Sequence, residues 1–433
     1  MIAFFLLIGI LYYGEFGVEA QTEPLLENFR QFLQADSTTE GASLEKILAS
    51  SPTYEQIQKW IAQVSVSSTV VAPGSYRYTF PVSWANPPYE AEYYVLVPQD
   101  YDPQKTYPLV LEVHGTYGSG EKLAQDRMPL LQISKTPTFF VLPSSKESAV
   151  GWRFTEEERR IQLTALFQVI RQFPIDWNRI YLTGGSRGGH ATWELGLFYT
   201  DYFAAAYPVC GGPRAKSLRY LENLKNLPLK DVQGALDDPL LVENLRYADQ
   251  KLQQLKAPWI YHEEPDQGHA VVWSYLDTLS FFVEKQRNPH PKEVFCSLEE
   301  IEHGERFWIR VLQLDPKIKT PKQISVPHFQ KMNETERRRS YIQALEKYRA
   351  WIRGTIEENN SLQLQYQGVQ EIEIRWDPIL LNPEKSVTIR ANKKELWKGS
   401  LSWNPRFCLK EYKRFRDSHR LYWGNLKLKL PNK

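Results

Sequence analysis

The chain has 433 residues, 42% of them hydrophobic and 24% charged, with a formal net charge of +2. That composition belongs to a soluble globular protein long enough to bury one full core and a second. The near-balance of charge lacks the basic excess of a nucleic-acid-binding domain, so no nucleic-acid partner is expected.

Residues 1–20 read as a secretory signal. Ile2 to Tyr13 is an uncharged apolar run, shorter than the roughly 20 residues a bilayer span needs. Val18-Glu19-Ala20 then places small residues before a cut ahead of Gln21. No Lys or Arg precedes the run. The mature chain is expected to be exported, periplasmic or extracellular, with no membrane span left after signal removal. Three cysteines remain, Cys210, Cys296 and Cys408. Cys296 with Cys408 is the one pair considered for a disulfide. Free buried thiols are the default, and the spacing fits no zinc pattern.

Residues 21–75 read as a short helical lead-in. Leu26, Phe29, Phe32 and Leu33, then Tyr54, Ile57, Trp60 and Ile61, fall at helical spacing around a loop at 36–41. From Tyr76 the period changes to two, over 76–80 and 93–97. Short apolar runs follow at 108–113, 138–142, 179–183, 203–209 and 257–261, separated by helical patterns such as Leu166, Val169, Ile170 and Phe173. That alternation predicts an α/β fold over 76–290: a mostly parallel sheet flanked by helices, with an antiparallel edge. Residues 288–292 read as a linker. Beyond it, 300–433 reads as a separate, mostly β, sandwich-like domain, with alternating runs at 306–312, 362–366, 371–375, 387–390 and 395–398 and one helix over 333–353. The tail from Arg406 carries nine Lys or Arg against Glu411 and Asp417 and reads as a solvated face.

The chemistry concentrates at the ends of the apolar runs, where parallel sheets place their active groups. Gly184-Gly185-Ser186-Arg187-Gly188 matches G-x-S-x-G between a strand and a helix. Ser186 is the candidate nucleophile, held out on a sharp turn, and Gly184 and Gly188 let strand and helix close on each other. An acyl-transfer site also needs backbone N–H groups aimed at the developing oxyanion. One is expected from Arg187, the other from Thr116 or Tyr117 in the loop that follows His114-Gly115. His114 itself is read as shaping that loop. His269, on a loop after a strand and C-terminal to Ser186, is the candidate base. The acid should lie between them, with Asp237 preferred over Asp238, and Asp231 and Asp266 weaker. The Arg187 side chain could favour anionic or polar substrates, although pairing with a nearby carboxylate is the plainer expectation. Residues 213–230 are a candidate cover for the site.

With Leu109–Gly115, Asp176–Gly184, Ser186–Glu194, Phe203–Gly212 and Gly268-His269 in view, residues 90–285 resemble secreted bacterial esterases of the α/β-hydrolase superfamily, of the prolyl-oligopeptidase-like and phospholipase/carboxylesterase-like groups. The β-rich tail resembles the C-terminal domain of some of these proteins. The resemblance implies a Ser-Asp-His triad, carried here by Ser186, Asp237 and His269. Two positions depart from its pattern: Arg187 replaces a usual Met, and Gln233 replaces a frequent His. The expected activity is hydrolysis of a small-molecule, lipid or polysaccharide ester, acyl or feruloyl, through an acyl-enzyme, with no metal or organic cofactor. Peptide hydrolysis, or glycan or envelope binding on a catalytically retired fold, are the alternatives.

Overall fold

The computed structural model describes residues 13–64, 70–133, 135–318 and 324–431. The first twelve residues of the expected signal segment therefore lie outside the described residues, and from Tyr13 the backbone is helical. Three helices come first, α1 (Tyr13–Gln34), α2 (Glu40–Leu48) and α3 (Tyr54–Val64). Among the described residues no helix is long and apolar enough to cross a membrane.

An eight-stranded sheet follows: β1 (Gly74–Val82), β2 (Tyr89–Val97), β3 (Tyr107–Val113), β4 (Phe139–Pro143), β5 (Ile175–Gly185), β6 (Ala205–Val209), β7 (Leu229–Gly234) and β8 (Trp259–Glu264). The spatial order is β1-β2-β4-β3-β5-β6-β7-β8. β1 and β2 form the antiparallel edge, β2 also runs antiparallel to β4, and every later pairing is parallel. The helices between and after these strands are α4 (Gly120–Arg127), α5 (Leu130–Ile133), α6 (Glu156–Gln172), α7 (Arg187–Phe198), α8 (Pro239–Gln254) and α9 (Tyr275–Val283). This is an α/β-hydrolase-like fold.

The central strands are apolar on both faces because both are covered. On one face Val110, Phe140, Tyr181 and Tyr207 pack with Ala124 of α4, Leu130 of α5 and Phe282 of α9. The Phe282 ring stacks on Tyr181 at 4.7 Å. Leu109, Leu111, Ile180 and Leu182 alternate to the other face and are fully buried.

The C-terminal part forms separate, mostly antiparallel sheets. Its strands are β9 (Glu293–Leu298), β10 (Glu305–Arg306), β11 (Ile309–Leu314), β12 (Ala350–Glu357), β13 (Ser361–Gln367), β14 (Val369–Trp376), β15 (Val387–Ala391), β16 (Lys394–Gly399) and β17 (Gly424–Lys429), with α10 (Glu334–Glu346) between β11 and β12. They pair as β10-β11-β14-β17 and as β16-β15-β13-β12-β9, and β13 and β15 run parallel. The expected helix ran on to 353, but Trp351, Arg353 and Thr355 alternate with buried Ile352 and Gly354, and β12 begins at Ala350. The strands β7, β9 and β17 are not among the runs read from sequence. β7 carries Lys230, Asp231 and Gln233, and β9 follows directly on the expected linker.

Residues 402–424 contain α11 (Pro405–Phe415). The chain divides into two compact units, Met1–Val66 with Ser402–Gly424 and Ser67–Leu401 with Asn425–Lys433. In the first unit Phe29, Phe32, Ile57, Trp60 and Ile61 form one core with Cys408, Leu409 and Tyr412. The stretch of basic tail from Pro405 to Phe415 is thus an amphipathic helix, its apolar stripe hidden by interleaved lysines and arginines. Cys210, Cys296 and Cys408 are buried free thiols.

Candidate active site

β5 ends where α7 begins, and Ser186 occupies the turn with φ 57° and ψ −120°. A non-glycine residue holds such a backbone only when its surroundings impose it. Here the Ser186 N–H donates to Val209 O at 2.8 Å and its carbonyl accepts from the His190 N–H at 3.1 Å, fixing the turn from both sides. The close approach of α7 to the sheet leaves no room at Gly188, where a Cβ would sit 1.9 Å from Val113 O.

Ser186 Oγ lies 2.7 Å from His269 Nε2. His269 Nδ1 lies 2.8 Å from Asp237 Oδ2. The acid and base loops are tied by their backbones: Ala235 N–H donates to Glu264 O at 2.8 Å and Leu236 N–H to Gln267 O at 2.9 Å. The imidazole side chain is 55% exposed and the carboxylate 8% exposed. The His269 ring is therefore open to solvent while the Asp237 carboxylate beside it is sheltered. Burial pushes the Asp237 carboxyl pKa up, but hydrogen bonds from His269, the Asp238 N–H and Gln233 together outweigh it and hold it below the usual carboxylate value. Gln233 donates to Asp237 Oδ2 at 2.7 Å. This buried amide thus fixes the Asp237 carboxylate.

The other carboxylates lie elsewhere. Asp238 caps α8, accepting from the Leu240 and Leu241 N–H groups at 2.8 and 3.2 Å. Asp266 is exposed. Asp231 is fully buried, with Trp193 Nε1 donating to Oδ2 at 2.7 Å and Oδ1 without a partner among the described residues. Burial raises its pKa well above the ordinary value, so folding favours the protonated acid. That contribution is fully present below the unfolded-state value of about 3.9 and is lost as pH rises through the raised one. Asp231→Asn can keep the bond from Trp193 and cannot ionise. We expect its unfolding free energy from urea titration to match the parent's near pH 4 and to exceed it increasingly at higher pH, by about 1–3 kcal/mol at most. Parallel free-energy-against-pH curves for the two proteins would exclude this role.

The loop after β3 is pinned by His114. Its Nε2 accepts from the Ser145 N–H at 2.9 Å, and its Nδ1 contacts Gly115 O at 2.7 Å. Burial lowers its pKa, against the opposing Gly115 bond. Gly115 packs on Ser186: a Cβ added there would lie 3.4 Å from Ser186 Cβ. Of the two candidate amides next in this loop, that of Tyr117 donates to Ser148 O at 2.7 Å. The Thr116 N–H has no partner among the described residues. The Arg187 N–H is the first of α7 and, like all first-turn donors, has no partner within its helix.

Residues 213–230, the candidate cover, are packed against the body of the protein. Ala215–Asn226 is a run of 3-10 turns with Leu218, Tyr220, Leu221 and Leu224 buried. Asn223 Nδ2 donates to Leu197 O and to Ser297 O, both at 2.9 Å, joining this run to α7 and β9. A groove of about 530 Å³ opens beside Asp237, between α8 and the start of α10, lined in part by Leu236, Leu240, Arg246 and Arg338. Among the described residues no three His, Cys, Asp or Glu side chains converge as a metal site requires.

No family model and no curated protein matches the sequence. Among solved structures the chain is similar to α/β-hydrolase esterases and prolyl-oligopeptidase-family peptidases over about half its length. A thermostable esterase is 24% identical with a TM-score of 0.41, over 49% of this chain and 63% of that one. A ferulic acid esterase is 15% identical with a TM-score of 0.39, over 48% and 96%. An acylaminoacyl peptidase of Pyrococcus horikoshii is 15% identical with a TM-score of 0.39, over 49% of this chain and 42% of the peptidase.

Proposed function

We propose that the protein is a serine hydrolase that cleaves carboxylic esters through an acyl-enzyme. The observation that carries this reading is the unbroken line Ser186 Oγ–His269 Nε2 and His269 Nδ1–Asp237 Oδ2, at 2.7 and 2.8 Å, on a turn whose backbone is strained at the serine. With Nδ1–H donated to Asp237, Nε2 is left to accept the serine proton.

Ser186 Oγ forms a bond to the ester carbonyl carbon as its proton passes to His269 Nε2. The oxygen that becomes negative accepts hydrogen bonds from the Arg187 and Thr116 N–H groups, Tyr117 being committed to Ser148. Losing such a donor typically costs about 10²–10³ in rate. Collapse breaks the bond from carbon to the leaving oxygen, which takes the proton from His269. A water then repeats the sequence on the acyl-serine, releasing the acid and restoring the Ser186 hydroxyl. Asp237 holds the ring and stabilises its charged form throughout.

The test is intact-mass labelling with a fluorophosphonate probe. We expect one adduct on the parent and none on Ser186→Ala, with turnover of short p-nitrophenyl esters lost alongside. A folded parent that takes up no probe would remove the reading and favour a binding role for the C-terminal sheets.

A further inference from the structure

Arg187 follows the nucleophile directly, and its side chain runs along the loop at 150–154. A Cβ on Gly151 would lie 3.1 Å from Arg187 Cγ and 3.4 Å from Thr116 Cα, so the arginine stem and the Thr116 backbone share one wall. Arg187 Nε donates to Val150 O at 3.4 Å, and its guanidinium carbon stands 5.2 Å from the centre of the Phe154 ring. Neither contact neutralises the charge. Among the described residues Arg187 has no carboxylate partner, so the pairing expected from sequence is absent.

Its neighbours differ. Arg214 covers the same Phe154 ring at 5.1 Å, but both oxygens of Glu194 hold it, at 3.0 and 2.8 Å. Arg159 reaches Glu156 and Glu194, and Arg153 reaches Glu147. His190, one turn along α7, meets the Phe154 edge at 6.0 Å. Burial pushes its pKa down, helped by nearby Arg187 and His269 and opposed by its bond to Gly212 O and by Glu194. The residue after Ser186 thus carries a half-buried guanidinium, positioned by Val150 and Phe154 and without a carboxylate partner among the described residues. A guanidinium there is a planar fork suited to a carboxylate.

We propose that Arg187 makes the enzyme selective for esters that carry a carboxylate close to the scissile carbonyl. This rests on the serine-hydrolase reading and names its substrate class. The carboxylate could belong to the acid or to the alcohol, and two pairs of esters separate these sources. On the acid side, p-nitrophenyl hydrogen succinate is compared with p-nitrophenyl valerate. On the alcohol side, 4-acetoxybenzoate is compared with phenyl acetate.

For the parent, kcat/KM is expected to favour the anionic ester on one of the two arms. That ratio should fall about 10- to 100-fold in Arg187→Gln, the range of a lost charge-assisted hydrogen bond, and less in Arg187→Lys. The ratio is the readout because any change in the oxyanion contact of residue 187 affects both esters of a pair alike. A parent without preference on either arm, or a ratio unmoved by Arg187→Gln, overturns the proposal. Turnover of the neutral esters in that case leaves the hydrolase reading standing. No turnover of any of the four esters, with no probe on Ser186, removes both.

Discussion

Replacing His269 by alanine is expected to lower kcat on a p-nitrophenyl ester by about 10⁶, with KM little changed, because the base acts on the reacting atoms and not on binding. Ser186 would then have no acceptor for its proton, the imidazole being the group 2.7 Å from its Oγ. Asp237→Asn should cost about 10⁴ for a different reason. The amide can donate to His269 Nδ1, which selects the tautomer with the proton on Nε2 and removes the acceptor that Ser186 needs. Hydrogen bonds hold the Asp237 carboxyl pKa below its ordinary value, so the orienting charge is expected to persist to a lower pH than an unperturbed aspartate's would. Steady-state kinetics with a fluorescence check of folding decides the matter. A His269→Ala enzyme that retains a hundredth of the parent rate would mean another group takes the proton.

Gly188→Ala is expected to be the most damaging small change in the fold. The added Cβ would meet Val113 O at 1.9 Å and His114 O at 3.0 Å. Both are backbone atoms, and Val113 is held in register with Gly184 on the neighbouring strand. Neither side can yield without moving α7 off the sheet, so a loss of about 3 kcal/mol or more is expected. Gly185→Ala is the matched control. Its Cβ would find Val209 O at 4.0 Å, an ordinary contact, and a change within about 1 kcal/mol is expected. Urea midpoints of the two variants give the comparison. Equal midpoints would show that the elbow tolerates a wider approach than its geometry implies.

The parts of this molecule that could be read from sequence are those where one physical cause dominates a short stretch. The buried central strands declare themselves as apolar runs because helices cover both their faces. Ser186 and His269 stand out because each follows such a run. β7 could not be read that way, since Asp231 and Gln233 are buried polar groups whose bonds, from Trp193 and to Asp237, the local sequence does not reveal. The choice between Thr116 and Tyr117 was equally hidden. It turns on a hydrogen bond to Ser148, in a loop after another strand. α11 was obscured by composition, since Cys408, Leu409, Tyr412 and Phe415 are buried among lysines and arginines that dominate the local charge.

The first compact unit is discontinuous, its pieces Met1–Val66 and Ser402–Gly424 lying at opposite ends of the chain. Synthesis proceeds from one end at about 5–20 residues per second. The amphipathic helices α1 to α3 therefore leave the ribosome roughly 20–70 s before the segment that completes their core. Through that interval the apolar faces of Phe29, Phe32, Ile57 and Trp60 have no native partner from α11. The sheet bearing Ser186 needs nothing from the last thirty residues for its eight strands, so it can mature first. The newborn chain is thus expected to pass through a stage with its eight-stranded sheet formed and the apolar faces of its leading helices still without α11, a stage open to chaperone binding or aggregation.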